Sequence, residues 1–170
     1  VPARDKGLAR LHLVLRGGPR PSLPIGEALH PIAIAAAGVL LVNDWLLKPS
    51  SAPAWLTGKL SDVTGLIVAP VALTAMIGLV LWVAARAGAR IEPWLTRRRL
   101  IAAIAATGGL FTAVKLSPAL ATRLAGLWGE VVPGSRIVAD PTDLIALPAL
   151  AIAWWIGRAE LAWIHAARTS

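Results

Sequence analysis

Four stretches of this chain run without a charged residue: Ala28–Asn43, Val63–Ala85, Leu100–Val114 and Leu144–Gly157. A helix that crosses a bilayer needs roughly 20 residues. Only the second stretch reaches that length unaided. The other three cross only by drawing charged neighbours to the membrane border. The first takes in Asp44 to Lys48. The third is stopped upstream by Arg97, Arg98 and Arg99, so it takes in Lys115. The fourth takes in Asp140 and Asp143 at one end, or Arg158 and Glu160 at the other. Several ionisable groups are therefore expected at the edge of the bilayer.

Composition agrees with this reading. The chain is 56% hydrophobic and only 15% charged, where a soluble domain carries about a quarter charged residues. The absence of cysteine excludes disulfides, thiolate catalysis and cysteine-ligated metal. The net charge of +8 lies between the apolar stretches, which fits membrane topology and anionic lipid headgroups rather than a nucleic-acid face. Residues 1–27 carry no signal-peptide pattern, because their longest apolar run, Leu11–Leu15, is interrupted by His12.

Lysine and arginine counts set the expected orientation. The N-terminal segment has five, the central loop five (Arg86, Arg90, Arg97, Arg98, Arg99) and the C-terminus two; the two hairpin loops hold two and three. Both termini and the central loop are thus expected to face the cytoplasm. The expected fold is all-α: an integral-membrane four-helix bundle built from two helical hairpins. Residues 1–27 form a basic segment with a short surface helix over Gly7–Arg16. Residues 28–170 form one four-span domain, with spans over about 29–48, 62–85, 99–116 and 140–158 and an interfacial helix over about 119–131. Leu120, Leu124, Leu127, Trp128 and Val131 recur there at helical spacing. Trp45 and Trp55 at one border, and Trp154, Trp155 and Trp163 at the other, fit an aromatic belt.

A short pattern occurs twice. Asp62–Pro70 and Asp140–Pro148 both read D-x-T-x-L-I-x-x-P, 78 residues apart, with five of nine positions shared. The chain reads as a duplicated pair of hairpins, with a pseudo-axis along the membrane normal. Asp62 and Asp140 would then face each other, and two close carboxylates that share a proton are what an aspartyl hydrolase requires. The plainer reading is helix capping. Asp140 precedes Pro141 at the first helical position and Asp143 falls at the third, while Ser61 or Asp62 caps the second span.

Asp44 and Lys48 have the i,i+4 spacing of an ion pair, with the amide of Asn43 beside them. Lys48, Lys59, Lys115 and Arg136 would collect near two helix N-termini, either as an anion site or as lysines and an arginine reaching to the headgroups. Thr64, Thr142 and Asp143 complete the candidate binding residues. No histidine pair has metal-ligand spacing, and no cofactor is expected. His30 and His165 stay open as axial ligands to a haem or pigment.

Asn43-Asp44-x-x-x-Lys48 followed by Leu56-Thr57-Gly58-Lys59-Leu60-Ser61-Asp62 resembles a pattern in a family of small uncharacterised bacterial membrane proteins. That resemblance implies a multi-pass protein of the bacterial cytoplasmic membrane and no particular activity. Asp44 and Lys48, Gly58–Val63 and Ile137–Asp140 are also locally similar to motifs of lipoprotein signal peptidase, a four-span aspartyl enzyme. The glutamine, asparagines and arginine of those motifs are absent. Three functions follow as expectations: an accessory subunit packed against other membrane proteins, a ligand- or ion-handling protein using the Asp/Lys cluster, and an intramembrane aspartyl hydrolase using Asp62 and Asp140. An enzyme is the less expected outcome, and the expected partners are the bilayer, its anionic lipids and other membrane subunits, with no nucleic acid.

Overall fold

The computed structural model describes residues 5–18, 23–130 and 137–169. All regular structure among them is helical. Helix α1 covers Asp5–Leu15 and α2 covers Pro31–Val42, with a π-helical turn over Asn43–Leu47 extending it. Helix α3 covers Ala54–Arg86, α4 Arg97–Leu116 and α5 Pro118–Gly129. A 3-10 segment, Pro141–Ala149, leads into α6, Leu150–Thr169. Three helices are long and apolar enough to cross a membrane: α3, α4 and the continuous Pro141–Thr169. The apolar Pro31–Leu47 is shorter.

The largest departure from the sequence reading is the start of α3. It begins at Ala54, eight residues before the expected border at residue 62. Pro53 fixes the backbone just ahead of the first turn, and nothing between Ala54 and Asp62 breaks a helix strongly enough to delay it. At 33 residues, α3 is about 50 Å long, well beyond a hydrocarbon core of roughly 30 Å. Asp62 is therefore an internal helical residue, and neither it nor Ser61 caps the second span. Asp140 does cap: its Oδ1 accepts from Thr142 N–H at 2.9 Å. The two copies of the repeated pattern thus sit in different local structure, one inside an α-helix and one at a 3-10 N-terminus. Pro141 and Pro148 both lack an N–H, and the regular α-helix takes over only after Pro148, at Leu150.

Helix α3 is the hub. It packs against α2, α4, the 3-10 segment and α6. The core joins Leu66, Ile67 and Val71 of α3 to Ala33 and Ala36 of α2 and to Ala146, Ala149, Ala153 and Ile156 of the last helix. Alanines dominate one side of these contacts, which lets the helix backbones approach closely. Between α4 and α6 the fit is reciprocal. Leu100 fills the space over Gly157, where a Cβ would sit 2.4 Å from it; Leu150 fills the space over Gly108, where a Cβ would sit 2.8 Å away. Apolar side chains also cover the outside, among them Met76, Val80 and Val83 of α3 and Leu110 of α4. A molecule with an alanine-rich interior and large aliphatic residues outside belongs in lipid.

Helix α1 turns its polar side inward. Its histidine and the arginine after it, His12 and Arg16, face the protein, while Leu11, Val14 and Leu15 face outward.

Candidate functional site

The π-helical turn that ends the first apolar segment sets up one side of the site. Lys48 N–H donates to Asn43 O at 2.8 Å, the i→i+5 bond of such a turn. The Asn43 side chain is fully buried, and its Nδ2 donates to Thr57 O of α3 at 2.9 Å and to Asp44 Oδ1 at 3.2 Å. Asn43 therefore stitches the widened turn to α3. This brings Asp44 and Lys48 together at 2.7 Å, as their spacing predicts. Ser61 closes the triangle: its hydroxyl donates to Asp44 Oδ1 at 3.0 Å and accepts from Lys48 Nζ at 3.1 Å.

Lys115 stands at the centre of the other side. It lies in the last turn of α4, and its Nζ donates to Asp62 Oδ2 at 2.9 Å and to Asp143 Oδ2 at 2.6 Å. Lys59, from the preceding turn of α3, donates to Asp143 Oδ1 at 3.1 Å and to Thr142 Oγ1 at 3.2 Å. The Phe111 ring lies 5.4 Å from Lys115 Nζ, close enough for a cation–π contact. The three central groups are well covered: Lys115 is 11% exposed, Asp62 17% and Asp143 13%. Lys48 and Asp44 are more open.

The structure brings together Asp44, Lys48, Lys59, Asp62, Lys115, Thr142 and Asp143. It leaves two candidates apart. Asp140 gives its carboxylate to the 3-10 N-terminus. Thr64 is buried and donates to Leu60 O of its own helix at 2.7 Å. Arg136 lies outside the described residues. The carboxylate that meets Asp62 through Lys115 is Asp143, one helical turn beyond Asp140. These residues form two groups, Asp44 with Lys48, and Lys59 and Lys115 with Asp62 and Asp143, and within each the lysines and acids balance. Each apolar segment contributes a residue: Asp44 and Lys48 from the first, Lys59 and Asp62 from α3, Lys115 from α4, and Asp143 from the last. Chemically these are two sets of charge-assisted hydrogen bonds, in which each lysine already has a carboxylate.

A second polar cluster, unforeseen in the sequence, sits at the opposite end of α3. Arg16 Nη2 donates to Glu160 Oε1 at 2.5 Å, across 144 residues of chain. His12 Nε2 donates to Gly26 O at 2.8 Å and lies 3.7 Å from Glu160 Oε2. His30 Nδ1 accepts from Ile32 N–H at 3.3 Å, capping α2. Its ring packs edge-on against His12, 4.7 Å between centroids, and Trp155, 5.1 Å. Burial lowers both imidazoles below the ordinary histidine range, His30 to about 4. Burial pushes the Glu27 carboxyl up. His165 is exposed. Among the described residues no group of three or more histidine, aspartate or glutamate side chains is arranged to hold a metal ion. The one available sequence signal for this cluster is that Glu27 and Glu160 each interrupt or border apolar sequence; their partners are too distant in the chain to infer.

No family model, curated protein or solved structure matches this chain.

Proposed function

We propose that the chain is a four-span protein of the bacterial cytoplasmic membrane, with both termini inside, that acts as an accessory subunit packed against other membrane proteins. The observation that carries this reading is that both polar groups beside α3, Asp44 with Lys48, and Lys59 and Lys115 with Asp62 and Asp143, are internally paired. An intramembrane ionisable group is a functional-site hypothesis by default. Here each lysine already has a carboxylate, so the two groups work as clasps across the spans rather than as open sites. The surface between α2 and α3 is apolar. A groove of about 380 Å³ between α2 and α3 is lined by Ala33, Ala37 and Gly38 together with Val68, Val71 and Ala72. Small residues of that kind admit a partner's transmembrane helix at close range.

The test uses the protein extracted from its own membranes in mild detergent. It is expected to migrate with a second membrane protein in fixed ratio. Gly38→Leu is expected to abolish that association without unfolding the chain, because nothing lies within 4 Å of a Cβ at that position. A wild-type chain that migrates alone overturns the reading.

A second reading, ligand or ion handling, is favoured by the contact of Lys115 with two carboxylates at once. An ion or an amine that displaced the lysine would find both acids in place. Ion flux into proteoliposomes that is lost in Asp62→Asn would select this reading over the first.

A further inference from the structure

Helices α4 and α6 run antiparallel, and their contacts fix the register: Leu100 packs over Gly157, and Leu150 over Gly108. Beside this seam lies an open groove of about 330 Å³. It is lined by Ile101, Ile104 and Ala105 of α4 and by Leu150, Ala151 and Trp154 of α6, and it is almost wholly apolar. Ile101, Ala105 and Ala151 are exposed, so the groove opens to the surroundings. One turn beyond this lining, at the Glu160 end, stand Arg97 of α4 and Arg158 of α6. Arg97 precedes Ile101 by four residues and Ile104 by seven; Arg158 follows Trp154 by four and Ala151 by seven. Both spacings return to the same helix face. The register therefore puts the two arginines at the same end of the groove.

Both guanidiniums are exposed, and neither meets an acid, a carbonyl or an aromatic ring among the described residues. Other arginines at this end are engaged: Arg16 with Glu160, Arg99 with Pro93 O and Glu92 O, Arg168 with Glu92 and Arg86 with the Trp82 ring. Two unpaired cations at the mouth of an apolar groove match an anion that carries an apolar tail. The lining disfavours a protein helix. Alanine and glycine form much of the wall between α2 and α3, whereas two isoleucines, a leucine and a tryptophan hold a neighbouring backbone away here. Charge disfavours a second copy of this chain. A two-fold axis along the membrane normal sets one surface patch against itself, so Arg97 and Arg158 would meet their own counterparts. An acyl chain is narrow and flexible, and a phosphate offers acceptors to both guanidiniums at once. Arg97 and Ala105 are eight residues apart, about 12 Å along α4, which accommodates the part of a chain nearest its headgroup.

We infer that the groove between α4 and α6 binds one anionic phospholipid, with an acyl chain along its apolar lining and the phosphate held by Arg97 and Arg158. The lipid belongs to the leaflet at the Glu160 end. Trp154 suits this place, since tryptophan favours the border between acyl chains and headgroups. The inference rests on the chain lying in a membrane and not on its being a subunit. It uses a different groove from the one offered to a partner helix, so either proposal can fail alone.

The test places the full-length protein in phosphatidylcholine vesicles with a trace of spin-labelled phosphatidylglycerol. The motionally restricted fraction of the probe reads bound lipid, and spin-labelled phosphatidylcholine is the reference. Wild type should prefer the anionic probe by more than about fivefold, the effect of one cation near a headgroup. Arg97→Gln combined with Arg158→Gln should lower that preference by at least about fivefold. Ala151→Phe, which fills the groove and keeps every charge, should lower it as far. Should that variant not fold, Ala105→Leu on the facing wall, also exposed, makes the same test. Arg90→Gln removes an equally exposed and unpaired arginine from the loop before α4 and should change nothing. A wild-type preference near one overturns the proposal. So does a preference that survives filling the groove, or that Arg90→Gln lowers as much as the arginine pair does, since diffuse surface charge would then explain it. Displacement of the probe by inorganic phosphate at constant ionic strength would assign the arginines to a free anion instead. Expulsion of the probe as the protein is concentrated into dimers would give the groove to a second copy, and either result sinks the lipid site.

Discussion

At the scale of single residues, Lys115 is the most exposed to test. Its ammonium is the hydrogen-bonding group that lies between Asp62 and Asp143. Removing one partner from a covered ion pair strands the other, at a cost on the order of 3 kcal/mol. Lys115→Met is thus expected to lower the thermal unfolding midpoint of the purified protein clearly. Adding Asp62→Asn and Asp143→Asn should restore most of the loss, since the stranded charges are gone. A neutral single variant would remove the clasp from the account. His30 offers an independent test by pH. It is neutral in the fold, with its value lowered to about 4, while the unfolded chain protonates near 6.5. The unfolded state binds more protons in that window, so stability should fall as pH drops from about 6.5 toward 4. His30→Asn keeps an N-cap acceptor for Ile32 and should flatten that acid limb in a pH series of unfolding midpoints. His12 contributes with the same sign, so some slope should remain.

At the scale of elements, the packing of α3 against the loops at the Glu160 end turns on one residue. A Cβ on Gly78 would lie 2.7 Å from Pro24 O and 3.2 Å from Pro93 O, both backbone atoms that cannot rotate away. Gly78→Ala is expected to destabilise by about 1–3 kcal/mol through overpacking. Gly65→Ala, in the same helix with open space around it, should be neutral or stabilising by up to about 1 kcal/mol from helix propensity. Equal responses at both sites would mean that the loops do not rest on α3. The same helix shows what the sequence could and could not tell. The apolar stretches and the Asp44–Lys48 pair were legible because they depend on local composition and spacing. The start of α3 was not, because Lys59, Ser61 and Asp62 look like loop residues until their partners Asp143, Lys48 and Lys115 are known. Capping was legible at Asp140, where Pro141 marks the first turn. At Asp62 it misled, since the marker is Pro53, nine residues upstream. Arg16 with Glu160 was beyond local reasoning altogether, since 144 residues separate them.

At the scale of the whole molecule, the two polar clusters sit at opposite ends of α3, and their chemistry differs. One holds balanced lysine–aspartate groups; the other pairs buried acids with arginine under a basic surface helix. Arg86, Arg97, Arg98 and Arg99 flank the second end and would hold it in the cytoplasm during insertion. The proposed topology then places the loop between α2 and α3 outside and the loop between α3 and α4 inside. Because the chain lacks cysteine, single substitutions at exposed loop positions report this without background. Ser51→Cys should react with a membrane-impermeant thiol reagent added to cells with a permeable outer envelope. Ala89→Cys should react only after the cytoplasmic membrane is opened. Both residues are exposed, and no side chain at either place enters a cluster, so reactivity reads location rather than unfolding. The reverse pattern would put Lys115 and its two aspartates on the cytoplasmic side and the Arg16–Glu160 pair outside. Labelling of both sites from outside would show that α3, about 50 Å long, does not carry the chain across the bilayer, and the four-span reading would fall with it.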